Sequence, residues 1–243
     1  MALTFLLWNA RSLLRKSQEL QTYLEKELPA VVGLSETWLP PHLSLTFTGY
    51  FIIRTDRQQG RGGGVLLALK EELTFTELRL PRWPGGCLEA AAARVALQRG
   101  WVTVAVCYNP GGAASSQELD HFFSSLPPPI LAMGDYNAHH RSWDPNLPPH
   151  HRHAPGNTLF QCIQDSPHLC LLSPPGLATR VDPYTGAAST LDLFIGDPGF
   201  STITFSTGPY MGIDHLPILA TLPQTPPRPQ PGCLPRWRIQ ITE

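Results

Sequence analysis

The chain lacks long apolar segments and has few cysteines. No stretch of its 243 residues approaches the ~18 consecutive apolar residues of a membrane-spanning helix, and its first eight residues show neither a basic leader nor a small-residue cleavage site. The five cysteines are scattered and include no C-x-x-C pair, which disfavours zinc or redox chemistry and favours reduced thiols. We therefore expect a soluble, intracellular protein that binds no membrane.

The chain also lacks a surplus of either charge. Eighteen basic and nineteen acidic side chains give a net charge of -1, so any site for a polyanion must be local. One candidate is residues 54–64, where Arg54, Arg57 and Arg61 accompany a Gly-Gly-Gly run that would let a backbone approach phosphates. Taken alone, such a run is more often a solvated hairpin loop.

Strand and helix signals alternate along the chain. Short apolar runs bounded by Gly, Pro or Asp predict strands at 3–8, 31–34, 63–69, 101–108, 130–133, 189–195, 202–205 and 216–222. Helical spacing predicts helices within 13–28, 115–126 and 157–164. This mixture predicts one α/β domain over 1–222, and proline-rich composition predicts a linker or tail over 223–243.

Polar side chains follow several of the predicted strands. Asn9 follows the first, Glu36 the second, and Asp135 and Asn137 the strand at 130–133. Each has an ordinary alternative, as a helix cap, a first-turn acid or an Asx turn. Together, such acids would repel one another unless a hard divalent cation offset their charge, and magnesium with Glu36 and Asp214 as oxygen ligands suits that requirement.

Histidine occurs in two settings. Asp214 and His215 stand together before a predicted strand, with Asp192 available to orient the imidazole ring, a pattern that favours a functional role over a purely structural one. The other histidines lie in a proline-rich loop without an ordered cysteine partner, so zinc is disfavoured there. They are His139, His140, His150, His151 and His153.

Seven motifs in order carry a family resemblance between about residues 3 and 222. They are Trp8-Asn9-Ala10-Arg11-Ser12, Ser35-Glu36-Thr37-Trp38-Leu39, Arg61-Gly62-Gly63-Gly64-Val65, Tyr108-Asn109-Pro110, Gly134-Asp135-Tyr136-Asn137-Ala138-His139-His140, Ser189-Thr190-Leu191-Asp192-Leu193 and Asp214-His215-Leu216-Pro217-Ile218. The chain resembles the endonuclease/exonuclease/phosphatase superfamily, and within it the apurinic-type endonuclease domains of non-LTR retrotransposons.

That resemblance implies a four-layer α/β/β/α sandwich of two mixed sheets with a site at one rim. It implies that Glu36 holds Mg²⁺, or Mn²⁺ as a substitute, with Asn9 and Asp214 close by. It further implies that Asp135 orients or deprotonates water, that Asn137 and Tyr108 contact the phosphate, and that His215, steered by Asp192, neutralises developing charge. Candidate DNA contacts are Arg11, Arg57, Arg61, His139, His140 and Thr190.

Three positions depart from the pattern of repair-type relatives. Gly111 stands where an asparagine is frequent, Ile213 where a serine is usual, and Thr190 where a basic residue often precedes the orienting aspartate. The metal and water residues remain intact. The resemblance thus favours nicking of ordinary duplex DNA over abasic-site repair.

The leading hypothesis is an endonuclease that nicks chromosomal DNA in the nucleus and leaves a 3′-hydroxyl and a 5′-phosphate for target-primed reverse transcription. A reverse transcriptase domain would normally follow it, and residues 235–239 resemble the segment that leads into one. Two alternatives stay open. One is a repair nuclease or other phosphodiesterase of the same fold, and the other is a domesticated module that binds DNA or protein without cleaving.

Overall fold

The structure is a computed structural model that describes residues 2–58, 60–98, 100–148 and 153–223. The predicted tail beyond residue 223, the segment 235–239 and the histidines His150 and His151 lie outside the described residues. None of the helices in the described ranges is both long and apolar enough to cross a bilayer.

Fourteen strands and three α-helices make up the described chain. The strands are β1 (Ala2–Asn9), β2 (Val31–Ser35), β3 (Tyr50–Thr55), β4 (Val65–Lys70), β5 (Phe75–Leu78), β6 (Glu89–Leu97), β7 (Gly100–Tyr108), β8 (Ile130–Asp135), β9 (Cys170–Leu171), β10 (Arg180–Val181), β11 (Ala188–Ser189), β12 (Asp192–Gly196), β13 (Thr204–Thr207) and β14 (Ile218–Pro223). The helices are α1 (Ser17–Glu27), α2 (Ser116–Ser124) and α3 (Ala154–Asp165), and two short 3-10 helices cover Pro110–Gly112 and Pro198–Phe200.

Two six-stranded sheets are formed. The first has the order β13-β14-β1-β2-β4-β3 and the second the order β5-β6-β7-β8-β12-β9, while β10 and β11 pair in a small hairpin. The pairs β1–β2 and β7–β8 are parallel and the other pairs antiparallel, so both large sheets are mixed.

Most of the central strands are buried on both faces, which explains their nearly continuous apolar sequences. In β1, Phe5 and Leu7 belong to the core between the sheets, whereas Leu6 and Trp8 pack on the opposite face with Leu20 of α1. Helices α2 and α3 cover the outer face of the second sheet in the same way. The order helix, sheet, sheet, helix confirms the predicted four-layer α/β/β/α sandwich.

Strand direction brings the polar side chains to one rim. In the parallel pair β1–β2, Asn9 stands opposite Ser35, and in the parallel pair β7–β8, Tyr108 stands opposite Asp135. Strand β12 runs the other way, so its first residue, Asp192, lies opposite Asp135. Four strand ends and one strand start therefore meet at this edge.

Candidate active site

Asn9 links the rims of the two sheets. Its side chain is fully buried, and its Nδ2 donates to Glu36 Oε1 at 2.9 Å and to Asp135 Oδ2 at 2.7 Å. Its Oδ1 accepts the backbone N–H of Arg11 at 3.0 Å, which fixes the orientation of the amide. Asn9 does not cap α1, which begins eight residues later. The Asn9 amide therefore holds the two carboxylates together.

Asp135 and Asn137 form a rigid turn after β8. The backbone N–H of Asn137 donates to Asp135 Oδ1 at 2.9 Å, which is an Asx turn. The Asn137 side-chain amide also donates to the carbonyl of Asn109 at 3.2 Å and to Asp135 Oδ2 at 3.3 Å. The Asx turn is therefore present, and it points the Asp135 carboxylate into the rim, so it does not exclude the predicted functional role.

The rim concentrates left-handed backbone. Arg11, Ser12, Glu36, Trp38 and Asn137 have φ angles of 38°, 80°, 50°, 54° and 47°. Such conformations cost non-glycine residues of order 1–3 kcal/mol each and persist where surrounding contacts enforce them. Their concentration at one edge supports a functional role for it.

Lys16 makes some of the contacts that hold this left-handed backbone in place. Its Nζ donates to the carbonyls of Ala10, Arg11 and Ser12 at 2.6, 2.9 and 3.2 Å, which secures the loop after β1. Burial and the nearby charge of Arg11 lower the pKa of Lys16. Lys16 is not among the predicted site residues, since its role depends on how the loop after β1 folds back.

Asp192 and His215 form a buried pair. His215 Nδ1 lies 2.8 Å from Asp192 Oδ2, and the two residues are 6% and 1% exposed. The indole of Trp8 donates to the His215 carbonyl at 3.2 Å and fixes its backbone. Burial alone would lower the pKa of His215, but the negative charge of Asp192, with smaller contributions from Asp135 and Asp214, raises the pKa to about 9. The ring is thus cationic at neutral pH.

Asp135 lies against this pair. Ligand atoms of Asp135, Asp192 and His215 lie within 4.8 Å of one another. Burial is the main reason that the pKa of Asp135 rises to about 7, and the neighbouring Asp192 adds to it. The charge of His215 and hydrogen bonds from Asn137 and Asn9 oppose the rise. A carboxyl with this pKa can take up a proton near neutral pH.

Asp214 points to the same rim but is held by two arginines. Its Oδ1 accepts from Arg11 at 3.2 Å and its Oδ2 from Arg180 Nε at 2.8 Å. Burial raises the pKa of Asp214, but the hydrogen bond from Arg180 and the charge of His215 outweigh it, and the net pKa is lowered. Arg180 is not among the predicted site residues, since no local sequence pattern joins it to a residue 34 positions later.

Arg180 belongs to a hairpin that is attached to the site. The backbone N–H of Val181 donates to the Asp214 carbonyl, and that of Leu216 donates to the Thr179 carbonyl, both at 2.8 Å. The Thr179 hydroxyl accepts the backbone N–H of Asp192 at 3.1 Å. This crossing segment therefore aligns the chain on either side of His215 with the start of β12.

Tyr108 and Arg57 occupy the other side of Glu36. Burial, and then the negative charges of Glu36 and Asp135, raise the pKa of Tyr108. The Arg57 guanidinium lies 6.0 Å from the centre of the Tyr108 ring and pairs with Glu89 at 2.5 Å. A cation therefore stands beside the phenol at the end of β7.

The remaining predicted DNA contacts fall into two groups. Arg11 and Arg61 are exposed, and His139 lies 3.3 Å from Asp144. His140 instead stacks on Phe160 with ring centres 4.3 Å apart, and Thr190 is 1% exposed and donates to a backbone carbonyl. Thr190 is therefore too buried to contact DNA directly, whereas His140 is half-buried and its predicted DNA contact stays a prediction.

The donor set fits a divalent cation. Glu36 and Asp135 present carboxylate oxygens on either side of one nitrogen atom, and hard cations such as Mg²⁺ prefer oxygen ligands. Asp192 Oδ1 is buried without a hydrogen-bond partner among the described residues, so negative charge at this rim is incompletely offset. His215 Nδ1 is engaged by Asp192, which suits the imidazole to charge stabilisation better than to holding Mg²⁺.

Comparison with known proteins gives consistent matches. Residues 6–220 match the pattern of the Endonuclease/Exonuclease/phosphatase family. The chain is 32% identical over 228 residues to the RNA-directed DNA polymerase from mobile element jockey of Drosophila melanogaster. That match covers 90% of this chain but only 24% of the relative, so the chain spans about a quarter of that protein's length.

Solved structures share the fold. The endonuclease domain of TRAS1, a telomere-specific non-LTR retrotransposon, superposes with a TM-score of 0.73 at 15% identity, covering 91% of this chain and 98% of that one. An AP endonuclease from Archaeoglobus fulgidus gives 0.64 at 15% identity, with 90% and 99% covered. The 3′ phosphatase NExo from Neisseria, bound to a product DNA hairpin, gives 0.67 at 17% identity, with 91% and 100% covered.

Proposed function

We propose, on the premise that the chain belongs to the Endonuclease/Exonuclease/phosphatase family, that it is a divalent-metal-dependent endonuclease which nicks one strand of duplex DNA. The observation that carries the proposal is the bridge that Asn9 makes between Glu36 and Asp135. It places an oxygen-rich pair of carboxylates beside a cationic histidine, which is the arrangement that phosphodiester hydrolysis needs.

Glu36 would hold the cation, and Asn9 would keep that carboxylate next to the carboxyl of Asp135. A bound Mg²⁺, or Mn²⁺ in its place, would supply charge neutralisation at the scissile phosphate. Asp214 is the third acid of the predicted set. Its two oxygens already accept from Arg11 and Arg180, so we assign it to positioning the segment that bears His215.

The other side chains have separate roles in the proposed hydrolysis. Asp135, with its raised pKa, orients a water and accepts its proton as the water oxygen bonds to phosphorus. Tyr108 donates to a phosphate oxygen, and Asn137 does so by exchanging its 3.3 Å contact with Asp135 Oδ2 for one with the phosphate. His215, kept cationic by Asp192, stabilises the charge that develops while the bond from phosphorus to the 3′ oxygen breaks. The released 3′ oxygen takes up a proton from water and Asp135 returns its proton to solvent, so the products are a 3′-hydroxyl and a 5′-phosphate.

The relationship to a mobile-element polypeptide supports the biological setting that we propose. A quarter-length match to a jockey protein named as an RNA-directed DNA polymerase is consistent with an endonuclease unit that prepares a primer for reverse transcription. A reverse transcriptase domain following this unit would then use the 3′-hydroxyl. Chromosomal DNA in the nucleus would be the substrate.

The test is nicking of supercoiled plasmid with Mg²⁺, with Mn²⁺ and with chelator. Wild-type protein should convert supercoiled to open-circular DNA only with a divalent cation, and Glu36→Gln should reduce the rate at least about 100-fold. Glu19→Gln, in the first turn of α1, is the matched control and should nick normally. Nicking by Glu36→Gln at the wild-type rate would refute the site.

End chemistry and substrate class can be read in the same system. Ligation of the nick by DNA ligase requires a 3′-hydroxyl and a 5′-phosphate, so repair of the product checks the polarity. An abasic oligonucleotide, an intact duplex and a small phosphate ester should be compared at equal concentration. Faster turnover of the abasic oligonucleotide or of the ester would replace the duplex-nicking proposal with a repair or phosphodiesterase function.

A further inference from the structure

Trp38 is a large apolar side chain that is exposed beside an acid of the candidate site. The residue is 42% exposed, although the threonine before it is fully buried. Its indole Nε1 donates to Glu36 Oε2 at 3.2 Å, so the ring lies against the carboxylate that we assign to the cation. An indole is smaller than one nucleotide, and a phosphate held by that cation therefore has a neighbouring sugar and base within reach of the ring.

The backbone and a glycine hold the Trp38 ring in one position. Trp38 has a left-handed φ of 54°, and its backbone N–H donates to the Gly63 carbonyl at 2.9 Å. A Cβ atom on Gly62 would lie 3.1 Å from Nε1, 3.4 Å from Cε2 and 3.7 Å from Cδ1 of the indole. Three ring atoms at similar distances place Gly62 over one face of the five-membered ring. The absence of a side chain at residue 62 therefore lets the ring pack flat on the backbone.

The exposed surface of Trp38 is consequently the opposite ring face and the six-membered ring. This surface is flat, apolar and fixed, whereas its surroundings at the rim are charged. Arg61, the residue before Gly62, is exposed, and so is Arg11, which reaches Asp214. Exposed guanidinium groups suit phosphates, but an apolar ring face does not. The ring face is therefore suited to an apolar part of the same polymer.

A nucleotide offers two such parts, the base and the C–H groups of the deoxyribose. Bases in a duplex already stack on one another, and extruding one of them costs free energy. The sugar that carries each phosphate is exposed along the backbone in every nucleotide and needs no extrusion. Packing its C–H groups on the indole removes apolar surface of both from water. The sugar is therefore the favoured partner in an intact duplex.

We propose that the exposed face of Trp38 binds the deoxyribose of a nucleotide that flanks the phosphodiester to be cut. The inference rests on the proposed nuclease function for the identity of the polymer. With the phosphate at the cation and the sugar on the ring, the strand is held at two points beside Glu36. Because every nucleotide carries the same sugar, this contact contributes to affinity for DNA and not to the choice of sequence.

Two positions elsewhere provide matched comparisons. Trp101 has the same exposed fraction as Trp38, but it lies near the start of β7, whereas Tyr108 of the site is the last residue of that strand. Gly60 has a φ of 84°, close to the 78° of Gly62, but a Cβ atom there would meet nothing within 4 Å among the described residues. Substitutions at Trp101 and Gly60 therefore reproduce the loss of an indole and the backbone strain without touching the ring of Trp38.

Nicking kinetics at saturating Mg²⁺ test the contact. Trp38→Ala should raise KM for a duplex about 10-fold and keep kcat within about 2-fold, because the sugar loses its apolar partner while the cation site is filled. Trp38→Phe keeps a ring and should stay within about 3-fold of the wild-type KM. Gly62→Ala, whose new Cβ pushes on the indole, should raise KM, whereas Gly60→Ala and Trp101→Ala should not. An unchanged KM in Trp38→Ala would overturn the proposal.

Altered substrates distinguish the sugar from the base. A duplex is prepared that lacks the base, but keeps the sugar and the phosphate, at each of the two nucleotides flanking the nicked bond in turn. The KM of Trp38→Ala should stay about 10-fold above that of the wild type on these duplexes, and the nick positions on an unmodified plasmid should not change. Equal KM values for the two proteins on either duplex would show that Trp38 stacks on a base, and would overturn the sugar contact.

Binding without cleavage separates this proposal from the nuclease proposal. The indole N–H signals of the metal-free protein are followed by NMR while a short duplex, or inorganic phosphate, is added. We expect the duplex to shift the Trp38 signal, the phosphate to leave it nearly unchanged, and Trp38→Ala to bind the duplex several-fold more weakly. A Trp38 signal that the duplex leaves unmoved, or that phosphate alone shifts equally, would overturn the proposal.

The outcomes of the two experiments are independent. Duplex binding that depends on Trp38, in a protein that never nicks DNA, would keep the sugar contact and refute the nuclease. Nicking with the wild-type KM in Trp38→Ala would keep the nuclease and refute the sugar contact.

Discussion

Asp135 and Asp214 lie at the same rim of the molecule, yet their surroundings differ in charge. Asp135 is fully buried, receives hydrogen bonds from two asparagines and stands opposite a second carboxyl, Asp192. Asp214 is bound through both oxygens by arginines. The pKa of Asp135 is consequently raised, whereas that of Asp214 is lowered.

This difference distinguishes a carboxyl that can take part in the reaction from one that holds the structure of the site. A carboxylate whose charge is already offset by arginines gains little from a metal ion or an incoming proton. A carboxyl whose cationic neighbour is His215 alone, which Asp214 shares, and which also faces another acid gains more from both. The sequence cannot distinguish the two residues, because both are aspartates next to a predicted strand.

The sharpest challenge to this contrast is Asp135→Asn. We expect nicking to fall at least about 100-fold, because the proton acceptor is lost while the hydrogen-bonded turn stays possible. The free energy of unfolding of the variant should instead rise relative to that of the wild type as pH increases. A carboxyl whose pKa rises to about 7 stabilises the fold fully below its ordinary pKa of 3.8 and loses that contribution as pH rises through 7.

Thermal unfolding without metal should therefore show Asp135→Asn gaining on the wild type between pH 4 and pH 8. Asp165→Asn, on the exposed surface of α3, is the matched control and should change neither the nicking rate nor this pH trend. A variant that loses stability at pH 8 as steeply as it loses activity would show that Asp135 serves mainly to hold the fold.

The second challenge is Asp192→Asn, which removes the charge that faces His215. Burial would then dominate, and the pKa of His215 should fall from about 9 toward or below 6.5. Nicking at pH 7.5 should drop on the order of 10- to 100-fold as the ring loses its proton. Histidine ring NMR signals of the metal-free protein, followed against pH, measure the pKa directly.

The linked stability effect has a defined window. Because the folded-state pKa of His215 is raised, the pair contributes fully below pH 6.5 and its contribution disappears as pH rises through about 9. The stability advantage of the wild type over Asp192→Asn, a few kcal/mol at most, should shrink across this range. Asp144→Asn, beside His139, is the control, and a His215 signal that titrates identically in Asp192→Asn and the wild type would contradict the pairing.

The third challenge compares the two arginines on Asp214. Arg180 is the less exposed partner, with 33% of its side chain accessible against 57% for Arg11, and has the shorter contact. We expect Arg180→Gln to cost about 1–2 kcal/mol of unfolding free energy and Arg11→Gln about 0–1 kcal/mol. Urea unfolding of each variant, alone and combined with Asp214→Asn, gives the coupling energies. Equal coupling for both arginines would remove the special role that we give to Arg180.

Much of this site was predictable because strand ends can be located from sequence. The apolar runs before Asn9, Glu36 and Asp135 stop at polar residues, and parallel pairing carries such ends to a common rim. Strand β6 was not predicted, since Glu89–Leu97 contains four consecutive alanines, whose helical propensity is high. Pairing with β7 and burial between the sheets override that preference.

Contacts made by loops were less accessible to sequence reasoning. Arg180 reaches Asp214 only because the hairpin crosses beside the strand that follows, which is a property of the whole fold. His140 stacks on Phe160, a residue of α3 that is 20 positions away, and no sequence pattern near His140 indicates that partner. Which way a loop side chain points depends on packing partners that no local pattern contains.

The smallest expected effect concerns Trp38. Its substitution tests whether Glu36 resembles Asp135, as a carboxylate that gains from a metal ion, or Asp214. Its Nε1 donates to Glu36 Oε2 at 3.2 Å from a position that is 42% exposed, so the contact is partly screened by solvent. Trp38→Phe should therefore raise the Mg²⁺ concentration for half-maximal nicking about 3- to 10-fold while the maximal rate stays within 2-fold, because a residue that orients a ligand acts on metal affinity. Trp101→Phe removes an indole of equal exposure at the far end of β7 and should leave the metal titration unchanged. If Trp38→Phe altered the maximal rate and not the Mg²⁺ dependence, Glu36 would act on the substrate and not on the cation, and the contrast with Asp214 would have to be drawn without it.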